Sequence, residues 1–153
     1  MRAELSARLA GKRVLVLGVG NRIRGDDAVG PLLVERLRGK VDVTLIDAED
    51  IPENYLGPIE GSGADLVLVI DATEMGANAG DAAIFEVEHT QGGTVSAHAA
   101  NIGLLFKAMA PQVRPQVLVL GVQPGSTELG QGLSEAVRTT MLSLEDILVD
   151  CLK

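Results

Sequence analysis

The sequence predicts an α/β fold: a single domain built on a twisted, mainly parallel five-stranded sheet sandwiched between helices, with one strand running antiparallel. Three observations predict it. Short continuous apolar runs such as Val14-Leu15-Val16-Leu17 and Leu66-Val67-Leu68-Val69-Ile70 have the character of strands covered on both faces. Segments of helical spacing lie between such runs, which makes parallel pairing through crossovers the natural arrangement. One connection, Gly76-Ala77-Asn78-Ala79-Gly80-Asp81, is short and glycine-rich, and suits an antiparallel return.

The elements follow in order. Residues 13–17 form the first strand and end in the run Gly18-Val19-Gly20-Asn21-Arg22-Ile23-Arg24-Gly25-Asp26-Asp27. Val29, Leu32, Leu33 and Leu37 then share one helical face, Pro31 sits in the first turn where its missing N–H does little harm, and Gly39 ends the helix. A second strand is expected over 41–47. Residues 51–60 can hold a short helix interrupted by Gly57-Pro58. The third strand, 66–70, runs into Asp71, and a fourth covers 83–87. A helix over 99–109, a strand over 116–122 and an amphipathic C-terminal helix complete the domain. In that last helix Leu133, Val137, Met141, Leu144 and Leu148 recur at core spacing.

Composition narrows the function. The chain has 153 residues, 46% of them hydrophobic, enough for one substantial core and one domain spanning 1–153. Its net charge of -8 disfavours nucleic acid and anionic membrane surfaces as partners. Cys151 is the only cysteine, which excludes an internal disulfide or a cysteine-rich zinc site and favours a reducing, cytoplasmic setting. Residues 1–13 alternate charge with small residues and carry no apolar signal core, so no targeting segment is expected. The apolar run that follows is too short to span a bilayer.

The glycine-rich run after the first strand resembles a phosphate cradle but carries the wrong charge. A dinucleotide fingerprint wants a third glycine where the chain has Ile23. Gly20 and Gly25 have P-loop spacing, yet Asp26 and Asp27 stand where lysine and serine or threonine belong. Two carboxylates repel a phosphate, which leaves a nucleotide-binding domain as a minor alternative. Asp26 is expected to cap the following helix, leaving Asp27 for other work.

Ligands in parallel sheets collect beyond the carboxyl ends of the strands. That rule gathers Asp27, Asp47, Asp71 and Gln123 at one edge. If the fourth strand is antiparallel, it ends at the opposite edge, and residues 89–97 must carry the chain back. Nine extended residues reach roughly 30 Å, enough to cross a sheet, so His98 can join the aspartates. Asp27, Asp71 and His98 then form a candidate site for a borderline divalent metal with positions open to water or substrate. Bland roles compete: Asp71 and Asp47 as strand-end turn formers, His98 as a solvated residue at a helix start. His89 belongs to an exposed loop, and Ser96 has no nucleophile elbow around it.

Five ordered segments together resemble the hydrogenase maturation endopeptidases. They are Gly18-Val19-Gly20-Asn21 with Gly25-Asp26-Asp27, Ile46-Asp47 with Pro52-Glu53-Asn54, residues Val69 through Gly76, Ser96-Ala97-His98, and Leu120-Gly121-Val122-Gln123-Pro124. Two departures are visible: Ala28 where a glycine is common, and Ala99-Ala100-Asn101 without the proline often seen there. The resemblance implies a protease that removes the C-terminal extension from the large subunit precursor of a nickel-iron hydrogenase. It implies that Asp27, Asp71 and His98 bind nickel, with the metal belonging to the precursor and shared transiently. Asp47 is a supporting candidate. Two mechanisms follow from it: the triad holds nickel as a docking point while an aspartate activates water, or the metal itself polarises the carbonyl or acidifies its water. A non-catalytic nickel-binding assembly factor using the same triad is the alternative function.

Overall fold

A computed structural model of the chain describes residues 1–87 and 97–153, with the side chains at 97, 99 and 100 left aside. Its elements are α1 (Arg2–Leu9), β1 (Val14–Gly18), α2 (Val29–Leu37), β2 (Thr44–Asp47), α3 (Leu56–Gly61), β3 (Leu66–Ala72), β4 (Ala82–Glu86), α4 (Ala97–Phe106), β5 (Gln116–Val122) and α5 (Glu135–Cys151). The five strands form one sheet in the order β2-β1-β3-β5-β4. The β1–β2, β1–β3 and β3–β5 pairs are parallel, and β4 runs antiparallel to β5. The expected sheet, with its one antiparallel strand, is the sheet observed.

Alternation along each central strand divides the core in two. Val14 and Val16 of β1, Leu66, Leu68 and Ile70 of β3, and Leu118, Leu120 and Val122 of β5 face one side, where α1, α2 and α5 cover them. Leu15, Leu17, Val67, Val69, Val117 and Val119 face the other side, under Ile59 of α3 and Ile102 and Phe106 of α4. Burial of both faces explains why these strands read as continuous apolar runs and not as an alternating pattern. In α5, Val137, Met141, Leu144 and Leu148 are buried as the spacing requires, while Leu133 lies just before the helix, whose N-cap is Ser134, and packs at the margin of that core.

Three local expectations are corrected. Residues 1–13 are not featureless: Arg2–Leu9 is helical, and Leu5 and Leu9 are buried against the α5 face. Two large apolar residues in eight make a weak local pattern, and so short a helix forms only because tertiary packing holds it. Gly57-Pro58 does not interrupt a helix but lies inside the first turn of α3, where proline lacks an N–H that would have no partner anyway. Helix α4 begins at Ala97, two residues earlier than expected, which puts His98 within its first turn. The expected return path and the loop position of His89 fall on residues outside those described, as does Ser96.

Candidate metal-facing site at the sheet edge

Parallel pairing of β1, β2, β3 and β5 brings their carboxyl ends to one edge. From β1 the chain leads outward to β2 through α2 on one face, and beyond β3 it leads outward the other way to β5 with α4 on the opposite face, so the connections diverge between β1 and β3. Such a switch point opens a crevice between the two strand ends. It lies between the loop after β1 and the end of β3. Close packing supports it from behind, since a Cβ on Gly30 of α2 would lie 2.3 Å from the Ile70 carbonyl oxygen.

The loop after β1 curls back on itself. Gly20 has φ +145, and a Cβ there would lie 1.9 Å from the Asp27 carbonyl oxygen, so the turn admits no side chain at this position. Its N–H donates to the Glu49 carbonyl at 2.7 Å, and the Asn21 N–H donates to Asp27 Oδ2 at 2.7 Å. Asp27 is half-buried, and its Oδ1 makes no hydrogen bond with the described residues. One oxygen thus fixes the loop, and the other remains available.

Asp26 does not cap the helix that follows it. Neither the short 3-10 turn at Gly25–Ala28 nor α2 receives a side-chain cap. Asp26 instead turns into the protein, where it is 0% exposed. There it accepts hydrogen bonds from the N–H groups of Ser134 (2.6 Å), Gly125 (2.7 Å) and Ser126 (3.2 Å), and from the Ser134 hydroxyl (2.8 Å). Burial opposes its ionisation, but these donors outweigh burial and hold the carboxyl below its ordinary range. Ser134 in turn caps α5 by accepting from the Val137 N–H. The nearest-helix expectation failed because a carboxylate takes the densest set of donors the fold brings to it, here from a segment about a hundred residues away.

Asp71 and His98 meet directly. Asp71 follows Val67 and Val69 on the same face of β3, the face covered by α4, and His98 stands in the first turn of that helix. His98 Nδ1 lies 3.1 Å from Asp71 Oδ2, with the Asp71 side chain fully buried and the imidazole 30% exposed. The hydrogen bond to Asp71 raises the His98 pKa against the opposing effect of burial, and the charges of Asp71, Asp27 and Asp50 add to the rise. With Nδ1 turned to Asp71, Nε2 is the nitrogen left for another partner.

The other edge residues have structural partners. Asp47 Oδ2 accepts from Arg22 Nε (3.2 Å) and Nη2 (2.9 Å), Arg22 also pairs with Glu35, and Asp47 Oδ1 accepts from the Glu49 N–H. Gln123, 3% exposed, braces the segment after β3: its Oε1 accepts from the N–H groups of Met75 and Ala77, and its Nε2 donates to Glu74. Sequence reasoning placed Gln123 at the edge but gave Arg22 and Glu74 no role. A lone arginine or glutamate in a polar loop carries no signal until its partner is known.

The structure therefore brings Asp71 and His98 into contact and sets Asp27 within charge range of that ring. Among the described residues, no three His, Cys, Asp or Glu side chains are gathered closely enough to hold a metal ion by themselves. The donor chemistry still fits a borderline divalent cation: one imidazole nitrogen and carboxylate oxygens from three separate segments.

Known proteins match this chain in sequence and in fold. A family model described as hydrogenase maturation protease matches residues 28–150. The hydrogenase 3 maturation protease of Escherichia coli (strain K12) is 30% identical over 138 residues, covering 86% of this chain and 88% of that protein. The crystal structure of a NiFe hydrogenase maturation protease, HycI, from Thermococcus kodakarensis KOD1 has a TM-score of 0.86 at 32% identity, covering 97% of this chain and 98% of that one. The hydrogenase maturating endopeptidase HybD from E. coli has a TM-score of 0.71 at 26% identity, with 90% and 91% covered.

Proposed function

The chain belongs to the hydrogenase maturation protease family, and from that premise we propose that it removes the C-terminal extension of a nickel-loaded nickel-iron hydrogenase large subunit precursor. In this reading the precursor's nickel is part of the substrate, and Asp27, Asp71 and His98 recognise it. The observation that carries the assignment is the contact between buried Asp71 and partly exposed His98 at 3.1 Å, with Asp27 near enough for its charge to act on the ring.

The division of labour follows from these environments. Asp71 orients the imidazole and keeps negative charge beneath it. His98 offers a neutral nitrogen once its proton has left. Asp27 offers an oxygen from a loop that its other oxygen makes rigid. So few protein donors leave a divalent cation under-coordinated, and the rest of its shell comes from the precursor or from water. A carboxylate beside the held cation can accept the proton of the attacking water, a role open to Asp27 or Asp71. Among the described residues no helix is long and apolar enough to cross a membrane. The single cysteine, which favours a reducing compartment, is the ground on which we assign the reaction to the cytoplasm.

The test is a mass measurement on the precursor. Mixing with the nickel-loaded precursor is expected to release a short C-terminal peptide, whereas the nickel-free precursor stays intact. An unchanged mass with a correctly loaded precursor overturns the reading, and a stable uncleaved complex in its place identifies an assembly factor.

A further inference from the structure

We propose that Ile23 and Leu129 form the docking point that grips the folded body of the protein substrate, beside the crevice that receives its C-terminal segment. This inference rests on the proteolytic reading above. Ile23 is 60% exposed and Leu129 63% exposed. They come from distant segments joined by main-chain bonds: the Gly130 N–H donates to the Ile23 carbonyl at 2.7 Å, and the Gly25 N–H donates to the Gln131 carbonyl at 3.0 Å. Beneath them the Asp26 carboxylate binds Gly125, Ser126 and Ser134 of the same second segment. Two large aliphatic side chains are thus held out into water by backbone fastened at several points. Such pre-ordering lowers the entropy lost when a partner covers them.

Position and charge select the occupant. Ile23 and Asp27 belong to the same loop beyond the carboxyl end of β1, so a partner seated on Ile23 covers the loop that carries Asp27. Two side chains offer far less than the roughly 800 Å² per partner of a standard stable interface, which argues against a permanent pairing of two copies through this patch. A brief encounter suits it better, because a processing protease must release each product. Charge narrows the partner further. Arg22 is occupied by Asp47 and Glu35, but Arg24 is exposed and makes no side-chain hydrogen bond or ion pair among the described residues. In a chain of net charge -8, that cation beside Ile23 matches a partner surface on which an apolar patch borders a carboxylate.

The experiment compares the full-length protein with Ile23→Asp, Leu129→Asp and Arg24→Glu, measuring both the affinity for the nickel-loaded precursor and the kinetics of its cleavage. All four proteins are expected to melt together, since these side chains are exposed. Both aspartate variants should weaken precursor binding and raise KM at least tenfold, with kcat at saturation within twofold of the parent. Arg24→Glu should raise KM less, and most at low salt. Unchanged affinity and KM in both aspartate variants overturn the docking proposal while leaving the proteolytic reading intact. Binding without cleavage by the parent protein, lost in the variants, supports the docking surface and removes the proteolytic reading. A parent protein that neither binds nor cleaves removes both. If sedimentation shows a parent dimer that the aspartate variants split with precursor affinity unchanged, the face joins copies of this chain and the proposal falls.

Discussion

Asp26 and Asp71 are both fully buried carboxylates at the same sheet edge, and their surroundings differ in kind. Asp26 receives four hydrogen bonds from backbone N–H groups and a hydroxyl, all neutral donors with nothing to titrate. Asp71 faces an imidazole that opens onto solvent and changes its proton with pH. The first arrangement fastens two loops together, and the second is the one to which the proposed function gives a cation. Burial alone did not separate these roles; the chemistry of the partner did.

That contrast is easiest to break with substitutions at the Asp71 end. On the proposed function, Asp71→Asn and His98→Ala each lower precursor cleavage by roughly 10²–10⁴-fold while thermal melting changes little. Cleavage retained by His98→Ala would remove it from the site. The Asp26 end should respond the opposite way. Asp26→Ala leaves buried N–H donors without an acceptor, and is expected to destabilise the fold by about 3 kcal/mol in urea titrations. A loss below about 1 kcal/mol would mean the clamp is not structural.

Acid sharpens the same comparison. The folded pKa of Asp26 lies below its ordinary value of 3.8, because its hydrogen bonds outweigh burial. Its contribution to stability is therefore complete above the unfolded value and lost as pH falls through the depressed folded one. Urea midpoints measured from about pH 5 to pH 2 should fall less steeply for Asp26→Asn than for the parent, and parallel curves would refute the linkage. The smallest effect is expected at Arg22. Its guanidinium is 41% exposed against Asp47 and Glu35, so Arg22→Ala should change stability by no more than about 1 kcal/mol. A larger loss would show that Asp47 depends on this pair.

The placement of the candidate residues, as distinct from their role, was legible in outline. Asp71 could be placed because an apolar run ends at it, and Asp27 because a glycine-rich turn delivers it to the start of a helix. His98 was reachable through the antiparallel fourth strand, and its position against Asp71 agrees with the face parity of β3. The role of Asp26 was misread because the sequence shows only the nearest helix, whereas its donors arrive from residues 125–134. The first helix went unseen because Leu5 and Leu9 gain meaning only from the α5 face they cover.

The sequence by itself determined the five strands and, apart from α1 and some helix ends, the helices between and after them, and that four strands run parallel. Side-chain periodicity is a local property, and the lengths of the connections limit how strands pair. Only the tertiary structure decided which groups become partners: Asp26 with Ser134, Asp47 with Arg22, Gln123 with Glu74, and Asp71 with His98. Hydrogen bonds and ion pairs act over a few ångströms in space, and the chain reaches those distances only after its crossovers have folded distant segments onto one edge.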